Sequence, residues 1–467
     1  MRVDRDEFKE AVDRVSTISS ERGRAVKLSL DEGRMVLTVN NPDSGSATEE
    51  LAVEYDAEPL EIGFNSRYLL DIANQLGSDT ALFRLADSGS PTLIQDNTVE
   101  DCLFVLMPMT ARVTRLSLTD FRNHERLSLD VASTMVALVG RGLRRATLAD
   151  IARTPGPGSW SVAATVELDG LETKLGTGLV EGASGRKVRI DGEDVRGSET
   201  LLDYVRVLWL VPAMDGLFTG PGSDRRRFLD RLTLSVDPGH GRRVSNFETA
   251  LRQRNKLLEQ GGTETFLTAL EQQVAELGTA VSIARQETVD LLAQTVAEQK
   301  TQSQPFPHAS LDLEGTFERG TAGMNAADRE EHYRALLANG RARDRAAGRT
   351  LNGPHLSDLK VRHAAKDMPA ALASTGEQKA LLIGLILAHC ELTAKVSGMT
   401  PLLLLDEVAA HLDPDRRAAL FSKLVMLGGQ VFMTGTDQAL FEALPAQAQI
   451  LEIGSGEARQ ITPAPTS

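Results

Sequence analysis

"STGEQKALLIGLILAHCELTAKVSGMTPLLLLDEVAAHLDP", residues 374–414, decides the fold. Ser374 stands before a long apolar helix, where a hydroxyl caps free backbone N–H groups. Gly376 leaves the first turn open to close approach, and the positive end of a helix attracts anions. Leu402 to Leu405 are four apolar residues in a row, a strand with no wet face. Asp406 and Glu407 end that strand. In open α/β sheets, the C-terminal strand ends are where ligands bind. An Asp there can hold Mg²⁺, and an adjacent Glu can orient or deprotonate water. Each piece also has an ordinary reading: a capped helix, a core strand running into an acidic loop, and at Leu412-Asp413-Pro414 a turn that starts a helix. Their order carries the weight.

Beyond the stretch, "PDRRAALFSKLVML" reads as a helix, "GQVFMTGT" as a strand, "DQALFEAL" as a helix and "AQILEI" as a strand, which predicts a largely parallel sheet. Before it, residues 224 to about 347 carry apolar positions at three- and four-residue spacing without a long strict heptad, so a helical arm is expected rather than a long coiled coil. Short strands are expected at "RVTRLSLTDFRNHERLSLDV", "TMVALVG", "SVAATVELDG" and "RKVRIDG". Residues 1–111 read as a separate α+β piece. "DRDEFKEAVDRVSTIS" and "NSRYLLDIANQLG" are helical, "AVKLSLDEGRMVLTVNN" is a hairpin about Asp31-Glu32-Gly33, and "TALFRLAD" and "CLFVLMPM" are strands.

Composition narrows the class. The 467 residues are 41% hydrophobic and 25% charged, ordinary for a soluble globular chain, and suit several domains. The longest apolar run, Ala380 to Cys390, is too short to span a bilayer, and the charged N-terminus does not read as an export signal. Cys102 and Cys390 offer neither a disulfide framework nor a zinc site, so a reducing cytoplasm is expected. Of the net charge of −14, residues 1–111 carry −11, with 10 Lys and Arg against 21 Asp and Glu. That break predicts two pieces with different partners. An acidic total disfavours bulk DNA binding but leaves room for a local basic stripe.

Capped helix, Asp-Glu strand, Leu-Asp turn and "VFMTGT" together make the back half of an ABC-type ATPase head. "LTDFRNHERLSLDV", "KVRIDG", "GSDRRRFLDRL", "RQRNKLL", "LNGPHLSDLKV", "STGEQKALL" and "LLLLDEVAAHLD" occur in one order, and residues 112–467 thereby resemble the RecF family of bacterial DNA replication and repair proteins. The resemblance implies an ABC/SMC-like, P-loop NTPase-like α/β head with an inserted helical arm: 112–223 and 348–467 form the head and 224–347 the arm. It implies a DNA-dependent ATPase that binds ATP and Mg²⁺, dimerises, binds single-stranded and gapped duplex DNA, works with RecO- and RecR-type mediators and supports the SOS response. By position, Asp406 is the Mg²⁺ acid and Glu407 the catalytic acid. Ser374, Gly376 and Gln378 belong to the signature that meets the other subunit's nucleotide, and Asp413 is the acid of the Leu-Asp turn. Arg225, Arg226 and Arg227, with Arg252 and Arg254, are candidates for DNA phosphates; a solvated helical face is the plainer reading.

Residues 1–111 resemble the third domain of the bacterial β sliding clamp, on "FKEAVDRVSTISSERGRAVKLSL", "VNNPDSGSATEEL", "FNSRYLLDIANQL" and "VLMPM". This implies that Asn65, Tyr68, Val105, Leu106, Met107, Pro108 and Met109 line half of a pocket for clamp-binding peptides. A small α/β domain with core methionines is the alternative.

The departure lies at "TMVALVGRGLRRATL" (134–148). RecF-like chains follow such a strand with Gly-x-x-Gly-x-Gly-Lys-Ser/Thr and a helix. Gly140 matches the first glycine, and nothing after it matches the rest. Roughly twenty residues are expected to be missing, among them the phosphate-cradling N–H groups, the Lys and the Mg²⁺-binding hydroxyl. Lys187 and Lys360 lie in no glycine loop. Little or no ATP turnover is expected, together with apolar sheet surface left bare where the helix belongs. The other reading is a non-enzymatic interaction module, or the inert remnant of a clamp–RecF gene fusion.

Overall fold

The computed structural model describes residues 1–17, 25–41, 45–85, 92–96, 103–106, 109–139, 147–168, 171–183, 185–261, 263–299, 306–454 and 456–461. The chain divides into two compact units, Met1–Pro212 with Cys390–Ser467, and Ala213–His389.

The first unit opens with β1 (Arg2–Asp4), α1 (Arg5–Ser16), β2 (Ala25–Asp31), β3 (Arg34–Asn41), β4 (Gly45–Ala52), β5 (Leu60–Asn65), α2 (Ser66–Gln75), β6 (Thr80–Arg84), β7 (Thr92–Asp96) and β8 (Leu103–Leu106). Two antiparallel sheets form, β4-β3-β2-β5 and β1-β6-β7-β8. Both helices are capped at their N-termini. The Asp4 carboxylate accepts from the N–H groups of Asp6 and Glu7, and Asn65 accepts from that of Arg67. Phe8, Val12 and Val15, at helical spacing, enter one core with Val26, Leu28, Leu37, Ile62, Phe64 and Phe83. That core closes within the clamp-like piece.

β9 (Met109–Phe121) then runs straight through the boundary expected at residue 111. The charge break there reports what the surface carries, whereas strand continuity is set by pairing. β10 (His124–Asp130), β12 (Trp160–Leu168), β13 (Leu171–Leu179), β14 (Lys187–Ile190) and β15 (Glu193–Val195) complete an antiparallel sheet in the order β10-β9-β12-β13-β14-β15; β11 (Met135–Val139) and β16 (Val207–Leu210) leave it for another sheet.

The second unit holds α3 (Gly222–Val236), α4 (His240–Gln260), α5 (Glu264–Glu298), β17 (Ala309–Glu314), α6 (Thr316–Gly320), α7 (Ala326–Ala347), β18 (Asp358–His363), β19 (Met368–Pro369) and the start of α8 (Thr375–Ser397). Phe247, Leu251, Val274, Val281, Tyr333 and Leu337 form the arm's core between α4, α5 and α7. A side chain at Gly278 would put its Cβ 2.6 Å from the Tyr333 ring, so that glycine sets how closely α5 and α7 approach. By length and composition α8 could cross a membrane, contrary to the short run counted in sequence. Most of it is buried, as befits a core helix apolar on every side.

From Cys390 the chain is again in the first unit, with β20 (Met399–Thr400), β21 (Leu402–Leu405), α9 (Pro414–Met426), β22 (Val431–Gly435), β23 (Gln449–Ile453) and β24 (Ala458–Ile461). The second sheet runs β16-β21-β22-β11-β23-β24, parallel except for its last strand. "DQALFEAL" gives one 3₁₀ turn, Gln438–Phe441, in place of the expected helix; Pro445 follows at once and disfavours continuation. Two buried glutamines join the sheets. Gln430 accepts from the Val113 N–H at 2.7 Å and donates to the Val113 carbonyl at 3.0 Å, and Gln449 does likewise with Ala132 N–H and Asp130 C=O.

One face of the parallel sheet buries Leu208, Leu210, Leu403, Leu405, Met433 and Ala137. On the other face the neighbours Trp209 and Leu404 are 36% and 38% exposed. A helix absent from that face would leave apolar surface of this kind.

Candidate functional site

Asp406 still donates its N–H to the Leu210 carbonyl at 2.8 Å, so the carboxylate leaves from the last paired position of β21. Glu407 follows with φ of 52°, which a residue with a side chain adopts at a cost of about 1–3 kcal/mol unless something holds it. Thr434 on β22 does so. Its hydroxyl donates to Asp406 Oδ1 at 2.5 Å and accepts from the Glu407 N–H at 3.1 Å, using both capacities of one hydroxyl. Thr434 was not singled out from sequence, although "MTGT" on a neighbouring strand was the available signal. Gly435 follows because a side chain there would meet the Phe441 ring at 2.8 Å. Asp413 caps α9, accepting from the Arg416 N–H at 2.9 Å. That cap is the plainer of its two readings.

β11 lies between β22 and β23, with Val139 level with Gly435 and Glu452. β11 therefore ends at the same edge of the sheet as Asp406 and Glu407. Gly140 and the expected seam lie outside the described residues.

The acids are suited to a hard cation, but a Mg²⁺ site needs about six oxygens. No cluster of three or more His, Cys, Asp or Glu suited to a metal occurs among the described residues. In a nucleotide site the remaining oxygens come from phosphates and a loop hydroxyl, and "GRGLRRATL" contains no glycine-loop Lys-Ser/Thr pair to position them. Among the described residues, Asp406 and Glu407 alone do not supply the six oxygens of a Mg²⁺ site, and no hydrolytic step is derived from them.

In the second unit Ser374 and Glu377 form a reciprocal capping box. The Ser374 hydroxyl and N–H both donate to Glu377 Oε2, at 2.9 and 3.1 Å, and Lys366 pairs with the other oxygen. Lys366 first, then Ser374, hold the Glu377 carboxyl down at about 2. Ser374 and Gly376 are exposed, with open space around Gly376. Gln378 turns inward. Its side-chain amide donates to the Ala373 carbonyl at 2.8 Å and fixes the turn before the helix. Lys379, unremarked in sequence, lies 3.4 Å from Asp215 and ties the same helix end to the turn after Pro212.

The arginines part company. Arg225 is bidentate to Asp358 and donates to the Gly220 carbonyl, and Arg226 donates to the Ser357 carbonyl. Arg254 is fully buried, bonded to Glu271, Asp344, Thr350 and the Leu337 carbonyl. Arg254 and Arg225 are therefore corrected from DNA candidates to ties within the arm and its root. Arg227 and Arg252 remain, 79% and 69% exposed, Arg227 paired with Asp224 and Arg252 with Glu248 and the Thr249 hydroxyl, all on their own helices.

In the clamp-like piece Asn65 is buried, Tyr68 half-buried, Leu106 buried and Val105 exposed. Met107 and Pro108 lie outside the described residues, and of Met109 only the backbone, paired in β9, is described. The structure therefore joins only part of the expected pocket.

Comparison with known proteins agrees with both halves. Residues 1–110 match the family of the C-terminal domain of the DNA polymerase III beta chain, and residues 302–434 match an AAA-domain family described for AbiEii toxins of type IV toxin–antitoxin systems. The DNA replication and repair protein RecF of Mesorhizobium japonicum is 49% identical over 75% of this chain and 98% of its own length. That of Rhizobium meliloti is 50% identical over 75% and 99%. The chain belongs to the RecF family. It is a RecF DNA replication and repair protein carrying a sliding-clamp domain at its N-terminus. A solved RecF–ATPrS structure, described as a recombination mediator protein of the RecFOR pathway, shares the fold with TM-score 0.66 at 18% identity, over 76% of this chain and 99% of its own. A DnaN sliding clamp from Bartonella birtlesii is 61% identical over 23% of this chain and 29% of its own, with TM-score 0.23.

Proposed function

We propose that this RecF-family protein binds single-stranded and gapped duplex DNA in the cytoplasm without running an ATP cycle in its own head. The observation that carries the reading is the strand β11 leading into "GRGLRRATL". The alignment lengths support it. The Mesorhizobium RecF aligns over 372 residues that take up three quarters of these 467, about 350, so some twenty positions of the relative have no counterpart here. Each lost transition-state donor costs on the order of 10²–10³ in rate, and the loop, its Lys and its hydroxyl go together. Purified full-length protein at millimolar Mg²⁺-ATP should give no saturable binding and background turnover. Saturable binding with turnover rejects the reading.

Arg227 and Arg252 supply phosphate contacts in this account. Replacing both by Ala should weaken DNA binding at all sequences and lower the salt slope by roughly 1.5. RecO- and RecR-type proteins are the expected partners, and a second copy is the expected neighbour of the exposed signature turn at Ser374 and Gly376.

A second reading, an interaction module without DNA binding, is favoured by the self-contained core of the clamp-like piece. Folded wild-type protein that fails to bind gapped DNA yet retains RecO or RecR at micromolar concentration would select it.

A further inference from the structure

β5 is the edge of its sheet, and its side chains alternate. Ile62 and Phe64 point into the clamp-like core. Gly63 and Asn65 therefore lie on the opposite face, which an edge strand ordinarily leaves to solvent. Both are buried all the same. What meets Gly63 is the turn that ends α8. Gly398 there is left-handed, φ 68°, with its N–H donating to the Ala394 carbonyl at 3.0 Å. A Cβ on Gly398 would lie 2.9 Å from Gly63 Cα, and one on Gly63 would overlap the Gly398 backbone. Two backbones meet there with no room for a methyl group.

The turn is anchored from the head side. Met399 is buried in the head core with Ala111 and Val113, and the Ser397 hydroxyl donates to the Thr393 carbonyl at 2.7 Å and accepts from the Met399 N–H at 3.3 Å. Met399 and Thr400 pair in parallel with Met109 and Thr110 of β9, the strand that leaves the clamp-like domain. The clamp-like domain thus meets the head twice within a few residues, once through its own outgoing strand and once through the Gly63–Gly398 contact.

We propose that the face of the clamp-like domain around Gly63 is an internal interface whose partner is the Ser397–Thr400 turn of the same chain, and that it locks clamp-like domain and head into one body. Of the residues expected at a peptide half-pocket, Met109 pairs at this joint through its backbone and Asn65 lies two residues from Gly63 on the same strand face, so the face is withheld from other proteins while the joint is closed. The proposal is independent of the ATP reading, since neither nucleotide nor DNA enters it.

Hydrogen exchange and calorimetry of the full-length protein test it. Gly63 has an ordinary strand conformation, so Gly63→Ala adds only the steric clash. It should speed exchange in segments 60–66 and 397–401 by about tenfold and split one melting transition into two. Gly428 has the same φ of 68° as Gly398 but open space around it, so Gly428→Ala carries the conformational cost alone. It should leave exchange in both segments unchanged. Gly63→Ala behaving as wild type overturns the proposal. Should that variant not fold, the wild type decides. Segments 60–66 and 397–401 exchanging as fast as the exposed turn at Gly192 also overturn it, and protection of both supports it.

Discussion

At the scale of single residues, burial decides what each charge does. His389 is buried in the second unit, its Nε2 2.7 Å from the Ser235 hydroxyl and 3.0 Å from the Leu232 carbonyl. Burial lowers its pKa from 6.5 to about 4, with the Leu232 carbonyl opposing in part. The folded state holds the neutral ring, so this contribution is complete above pH 6.5 and declines as pH falls from there through 4. About 3 kcal/mol is at stake. Melting of wild type and His389→Gln from pH 7.5 to 4 should show the wild type losing more. Equal slopes would remove His389 as the cause. Arg254→Ala leaves Glu271 and Asp344 buried with less compensation and should cost about 3–5 kcal/mol, whereas exposed Arg252→Ala should stay within about 0.5 kcal/mol by urea unfolding. The distinction was legible in the sequence. Arg254 lies seven residues after Phe247 and four before Leu258, both buried, so helical periodicity puts it on the inner face and Arg252 on the outer. Asp406 and Glu407 were legible because a wholly apolar strand ran into them. Thr434 was not, because its part depends on which strand lies beside β21.

At the scale of elements, the parallel sheet has one finished face and one bare stretch. Leu403 and Leu404 are chain neighbours pointing opposite ways. Leu403→Ala should cost about 2–4 kcal/mol through a cavity in the covered face. Leu404→Thr should cost less than about 1 kcal/mol and slow aggregation, since a partly exposed leucine gives up little burial. Chemical unfolding and light scattering measure the two effects, and equal costs would mean that the second face is covered in solution. Strand identities followed from alternation and apolar runs, and most helices from spacing and caps. The element misread, "DQALFEAL", is amphipathic enough to suggest a helix but too short before Pro445 to become one. The short β15 and β16, and β13 with its two glycines, were not singled out, because strands without clear apolar alternation are assigned by their partners.

At the scale of the whole molecule, the order of its motifs named the family, and the proposed loss of the phosphate loop sets this chain apart from the family's chemistry. The join between the two pieces, expected at 111, has a consequence that the ATP and DNA assays do not touch. The join lies inside a strand. Residues along a strand alternate between two faces, and β9 sends Ala111 and Val113 into the head core. A single residue gained or lost at the join would exchange inside for outside along the rest of the strand. Gains and losses there are therefore governed by parity. An even number can be absorbed as extra pleat, and an odd number demands a bulge or forfeits the core. A panel of one- and two-residue insertions after Thr110 should therefore alternate between poor and good yields of soluble protein, a pattern that no tether between independent domains would produce.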